Sequence, residues 1–106
     1  MKTKNVGEWV DGIFPSFEDI KWKQHRVGKG SIQGLIDLEN GIELSIVAGP
    51  TMYSLPKDEG NSPDDFDKFE VAVIGPDGKF ISSEQGDVLG WQSREDINKL
   101  IEIFFI

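Results

Sequence analysis

Residues 32–47 read IQGLIDLENGIELSIV, and this stretch decides the fold. Apolar and polar side chains alternate before Asn40-Gly41, which puts Ile36 and Leu38 on one face, and the same alternation resumes after it. Asn and Gly both tolerate the positive φ that the two central residues of a type I′ turn require. The stretch therefore predicts a half-buried antiparallel hairpin.

A second hairpin is predicted further along the chain. Residues 69–74 are rich in β-branched side chains, and Pro76-Asp77-Gly78 has the composition of a turn. Residues 79–82 are predicted to form a short return strand. A further short strand is expected around Val88-Leu89.

The C-terminal segment is predicted to be a helix. Ser93 is a favoured N-cap residue, and Asp96 stands where a capping box prefers Glu or Gln. The apolar stripe that follows has helical spacing and consists of Ile97, Leu100, Ile101 and Phe104. Together these elements predict an α+β fold, in which an antiparallel sheet of about four to five strands packs against one C-terminal α-helix.

The 106 residues, of which 38% are hydrophobic, suit a single domain over residues 1–106 with a modest core. Residues 1–30 form an N-terminal extension with a weaker pattern. A helical turn capped by Ser16 and a strand with Trp22 facing inward are predicted there. The chain has three tryptophans, and any exposed one would be a candidate interface hot spot.

Composition excludes several function classes. The chain has no cysteine, so thiol catalysis and a cysteine-based metal site lack their residues, and its one histidine, His25, is interpreted as a surface residue. A net charge of −8 disfavours direct binding to nucleic acid or to an anionic membrane. We therefore expect a cytoplasmic protein that is not an enzyme and takes no cofactor and no metal.

The acidity is concentrated after residue 30, where fifteen acids face five bases. Its densest block lies in an acidic loop, residues 49–68, and the candidate binding residues there are Asp58, Glu59, Asp64, Asp65, Asp67 and Tyr53. One interpretation is a solvated loop that is polar because it is exposed. The other is a patch that meets a basic partner surface and steers association.

Two further segments leave alternatives open. The Gly49–Ser54 part of the loop either leaves the sheet with Tyr53 over the rim of the core, or forms a small contact surface. The apolar tail either folds over the sheet edge, or forms a homodimer contact through Phe104, Phe105 and Ile106.

The order of several short segments resembles a group of small, mostly uncharacterised proteins encoded by bacteriophages and prophages. The resemblance covers residues 40–103 and is carried by Asn40-Gly41, residues 43–47, Gly49, Tyr53, Ser54, residues 69–73, Asp77-Gly78, residues 87–91 and residues 96–101. It implies a related origin and fold, and it implies no catalytic residue. The first forty residues depart from it.

The leading functional hypothesis is a non-enzymatic binding protein, specifically a phage or mobile-element accessory protein. It would act in the bacterial host cytoplasm by binding and inhibiting a host component, such as a nucleic-acid-handling defence complex with a basic surface. One alternative is a small-ligand or nucleotide-binding module that uses residues 49–54. The other is an oligomeric structural or assembly protein.

Overall fold

The computed structural model describes residues 15–25, 30–81 and 86–105, and these form one antiparallel sheet of five strands whose spatial order follows the chain. The strands are β1 (Lys21–Gln24), β2 (Ile32–Asp37), β3 (Glu43–Ala48), β4 (Phe69–Ile74) and β5 (Leu89–Gln92). Short 3₁₀ helices span Phe17–Asp19 and Pro63–Asp65, and helix α1 spans Arg94–Phe104. The predicted α+β fold, a sheet packed against one C-terminal helix, is confirmed.

The first hairpin forms as predicted, but its turn and its register differ from those of a two-residue turn over Asn40-Gly41, which would pair Glu39 with Ile42. Asp37 pairs with Glu43, and the N–H of Leu38 donates to the carbonyl of Ile42 at 2.9 Å. Positive φ occurs at Glu39 and Gly41, so this is not a two-residue type I′ turn over Asn40-Gly41.

The side chain of Asn40 gives the reason for the longer turn. Its Oδ1 accepts from the N–H of Ile42 at 3.1 Å, and its Nδ2 donates to the carbonyl of Phe104 at 2.8 Å. Asn40 therefore closes the turn and also binds the C-terminal end of α1, where helix carbonyls lack intrahelical partners.

The core lies between one face of the sheet and α1. Its buried side chains include Leu44, Ile46, Phe69, Val71, Ile97 and Ile101. Phe69 is fully buried at the centre of an aromatic cluster, with ring centroids 5.4 Å from Phe17, 5.6 Å from Trp22 and 6.3 Å from Phe66. Phe69 thus joins the N-terminal segment and the acidic loop to the sheet.

Part of the N-terminal extension belongs to the sheet. Ser16 caps the first 3₁₀ helix, and Trp22 lies half-buried against the core opposite Gly34 of β2. A Cβ at Gly34 would lie 2.8 Å from the Trp22 ring, so this position has room only for glycine. Trp9 and residues 27–29 lie outside the described residues.

The second hairpin is only partly formed. Its turn is present, but the predicted return strand is reduced to a single bridge between Ile74 and Phe80, and Ser82 lies outside the described residues. β5 becomes the ladder partner of β4 instead, and it begins at Leu89, where a short strand was expected.

Helix α1 begins at the predicted cap. The N–H of Asp96 donates to Oγ of Ser93 and the N–H of Ser93 donates to Oδ2 of Asp96, both at 3.0 Å, so Asp completes the capping box. Hydrogen bonding to Ser93 holds the pKa of Asp96 below its ordinary value. Asn98 then accepts from the N–H of Phe17 at 2.7 Å, which ties the N-terminal 3₁₀ helix to α1.

Candidate functional site

The acidic loop is fixed to the rest of the fold at several points. Its first turn closes on the buried hydroxyl of Ser54, which accepts from the N–H of Gly49 at 3.0 Å and donates to the Gly49 carbonyl at 3.1 Å. Leu55 forms an isolated bridge with Lys68, and Phe66 lies in the core. The loop therefore presents its side chains from an anchored backbone.

Two of the predicted carboxylates have structural partners. Asp65 Oδ2 accepts from the N–H of Asn61 at 2.8 Å and of Ser62 at 3.2 Å, and so caps the Pro63–Asp65 helix. Asp64 forms an ion pair with Arg94 at 3.1 Å. The Asp65 carboxylate therefore stabilises the loop conformation. The exposed Asp64 carboxylate does so more weakly, because ion pairs in solvent contribute little.

The other three predicted carboxylates, Asp58, Glu59 and Asp67, are the open carboxylates. All three residues are exposed, and their carboxylates form no hydrogen bond or ion pair within the part of the chain that the structure describes. Asp58 and Glu59, with Asp65, line a depression of about 620 Å³ beside the end of β1. These carboxylates therefore present negative charge to solvent without an ion-pair partner among the described residues.

Tyr53 is exposed, and the structure joins it to a residue that sequence reasoning did not single out. Its ring contacts that of Trp91, with centroids 5.2 Å apart and planes at 35°. Both residues are about half exposed, at 49% and 50%. We call Tyr53 and Trp91 the aromatic pair.

The backbone holds the aromatic pair in place. The N–H of Trp91 donates to the carbonyl of Tyr53 at 2.9 Å, and the N–H of Tyr53 donates to Oε1 of Glu70 at 3.0 Å. Gly90 provides the space, because a Cβ there would lie 2.9 Å from Cβ of Tyr53.

Trp91 has a φ of 54°, next to an irregularity in the β4–β5 ladder. Positive φ is unusual for a bulky residue. A β-bulge with this conformation redirects side chains at a sheet edge. Among the tryptophans that the structure describes, Trp91 is thus the exposed one, and only the general expectation of an exposed tryptophan pointed to it.

A cation lies near this pair. The Nζ of Lys57 is 5.9 Å from the centroid of the Tyr53 ring, and it donates to the carbonyl of Met52 at 3.3 Å. This distance is within the range of a cation–π contact. Lys57 therefore places a positive charge beside the exposed ring of Tyr53.

The C-terminal tail lies against the core. Phe104 and Phe105 are half-buried and pack on the core cluster, whereas Ile106 lies outside the described residues. Beside Phe104 is an apolar groove of about 230 Å³ between α1 and the sheet edge, with Ile81, Leu89 and Ile103 among its lining residues. Phe104 and Phe105 thus have intramolecular contacts of their own.

Two structural features are absent from residues 15–25, 30–81 and 86–105, the residues that the structure describes. No group of three or more His, Asp or Glu residues there has the arrangement of a metal site. No helix there has the length and apolar character needed to cross a membrane.

The acidic loop, with its open carboxylates and with Tyr53 of the aromatic pair, is the candidate functional surface. No protein-family model matches the chain, and no curated protein or solved structure matches it.

Proposed function

We propose that this chain is a small acidic, non-enzymatic binding protein that recognises a basic surface on another protein. The proposal rests on the open carboxylates, Asp58, Glu59 and Asp67, which are exposed. Other residues of the same loop fix its backbone, through the hydroxyl of Ser54 and the bridge between Leu55 and Lys68. Preorganised charge of this kind loses little conformational freedom on binding. It favours association with a surface of opposite charge.

The aromatic pair supports the same proposal. Protein interfaces combine a desolvated centre, enriched in Tyr and Trp, with a polar rim that excludes water. Tyr53 belongs to the acidic loop itself, and Trp91 contacts it. The loop thus carries open carboxylates, which suit a polar rim, and in Tyr53 one ring of an exposed aromatic surface.

Within this proposal the partner is a host protein or complex in the bacterial cytoplasm, and the chain is a phage or mobile-element accessory protein. A basic surface that normally binds nucleic acid is the target that best complements a net charge of −8. An acidic protein seated there would exclude the nucleic acid by competition. A nucleic-acid-handling defence complex is the concrete version of such a target.

The test is a tagged pull-down from bacterial lysate at low and moderate salt. Three proteins are compared: wild type, a variant with Asp58, Glu59 and Asp67 each replaced by Lys, and a matched control. The control carries the same three-fold charge reversal at other exposed glutamates, namely Glu18, Glu95 and Glu102. Only the loop variant is expected to lose the retained protein.

The protein retained in the pull-down is then used in two further measurements. Its affinity is expected to fall as salt rises, and it is expected to release bound nucleic acid when the acidic protein is added. Equal retention by wild type and by the loop variant would refute the role of the open carboxylates. Retention without displacement of nucleic acid would refute the inhibitory mechanism.

A further inference from the structure

We infer that the aromatic pair, Tyr53 and Trp91, is the contact surface for an arginine side chain of the basic partner. The inference rests on the proposed function and names the group that the partner contributes. A guanidinium is planar, stacks on aromatic faces and pairs with carboxylates, which an ammonium does less well. The surroundings of the pair offer both kinds of contact.

The exposure of the pair is enforced by the backbone. Trp91 has positive φ, its N–H is bonded to the Tyr53 carbonyl, and Gly90 leaves room for Tyr53. A conformation that bulky residues rarely adopt persists only where the surrounding structure imposes it. Here it keeps two aromatic rings half exposed instead of turning them into the core.

A second observation points to a cationic ligand. Lys57 Nζ lies 5.9 Å from the Tyr53 ring centroid, so this surface already carries a positive group of the chain itself. Glu70 of β4 lies beside the pair, because the N–H of Tyr53 donates to its Oε1 at 3.0 Å. An aromatic face beside a carboxylate is complementary to a guanidinium.

The same chain shows the geometry that a guanidinium adopts on a ring. Arg94 places its guanidinium carbon 4.7 Å from the centroid of the Phe17 ring while it also binds Asp64. That contact is closer than the one Lys57 makes with Tyr53. A partner arginine on the aromatic pair would repeat the combination of ring and carboxylate, and Lys57 would compete with it.

The probes are two peptides of equal charge, acetyl-(Arg-Gly)₄-amide and acetyl-(Lys-Gly)₄-amide. They are titrated into ¹⁵N-labelled full-length protein, and the tryptophan indole N–H signals are followed. The Trp91 signal is assigned from a Trp91→Leu variant. We expect the arginine peptide to bind about two- to five-fold more tightly than the lysine peptide, with the Trp91 signal shifting most.

Variants separate ring contact from charge. Trp91→Leu and Tyr53→Leu are each expected to reduce the preference for arginine, because each removes one ring. Lys57→Gln is expected to strengthen arginine binding more than Lys79→Gln, which removes the same charge from the exposed turn after β4. An equal increase in affinity for the arginine peptide in the two lysine variants would show that Lys57 does not compete for the aromatic pair.

Other outcomes would overturn the inference as a whole. Equal binding of both peptides, absence of binding at millimolar peptide, or an unmoved Trp91 signal would each do so. If equal binding is weakened by reversing Asp58, Glu59 and Asp67, the acidic-binder function stands and only the arginine surface fails. If the arginine preference holds while the lysate experiment shows no dependence on the open carboxylates, the proposed function fails instead.

Discussion

Replacing Phe69 by Ala is expected to destabilise the protein more than most single substitutions. The side chain is fully buried and its ring packs against three other aromatic rings, those of Phe17, Trp22 and Phe66. Truncating a buried Phe to Ala costs about 3–5 kcal/mol, which includes the cavity that it leaves. A domain of this size has a total unfolding free energy of about 5–15 kcal/mol, so the loss is a large share of it.

The assay is urea denaturation followed by circular dichroism, with Phe69→Leu as the control. Leu keeps much of the apolar volume but loses the ring contacts, each worth about 0.5–1.5 kcal/mol, so its loss of stability should be smaller than that of Ala. The m-value should be unchanged if only the native core is weakened. Thermal unfolding of the Ala variant should shift downward by at least about 12 °C.

A loss below about 1.5 kcal/mol for Phe69→Ala would contradict this reasoning. It would mean that the aromatic cluster does not join the N-terminal segment and the acidic loop to the sheet. Equal losses of stability in Phe69→Ala and Phe69→Leu would also contradict it. The larger cavity left by Ala would then add nothing to the cost of losing the ring contacts.

Three other substitutions test local features of the fold. Gly34→Ala should cost about 1–3 kcal/mol in urea denaturation, because its methyl group meets Trp22; an unchanged midpoint would argue against that close approach. Ser93→Ala should cost about 1 kcal/mol. The hydrogen bonds to Ser93 lower the pKa of Asp96, so the ionised carboxylate stabilises the fold above its ordinary pKa of 3.8. That stabilisation is lost as the pH falls through the native pKa. Wild type should therefore lose more stability in acid than the Ser93→Ala variant. Asp65→Ala should cost about 1 kcal/mol through the lost cap, whereas a loss within about 0.5 kcal/mol would show that the cap is unimportant.

The elements with strong local patterns could be predicted from the sequence. In β2 and β3, apolar and polar residues alternate, which indicates strands with one buried face. In α1, the apolar residues have helical spacing, which indicates a helix with one buried face. The local pattern therefore predicts both the type of element and the face that it buries. The Ser93 cap was equally predictable, because its partner Asp96 is three residues away. These features depend on short-range relations along the chain.

Features that depend on distant contacts were not predictable. The turn around Asn40 differs from a type I′ turn because its side chain binds Phe104, sixty-four residues away. Residues 79–81 make only a bridge to β4, whose ladder partner is β5, and nothing in the local pattern of either segment decides this competition.

The candidate site shows the same division. The acidic loop and Tyr53 are visible as composition, but composition does not separate Asp65, which caps a 3₁₀ helix, from Asp67, whose carboxylate has no partner among the described residues. The contact between Tyr53 and Trp91 depends on an irregularity in the β4–β5 ladder and on Gly90, which sequence reasoning about either aromatic residue alone does not reach.

The most direct test of the proposed function is amide hydrogen exchange of the protein with and without its retained partner. The account predicts that the partner slows exchange in residues 53–67 and 89–92, which contain the open carboxylates and the aromatic pair. Exchange slowed instead around the groove at Ile81 and Ile103, with residues 53–67 unchanged, would contradict it.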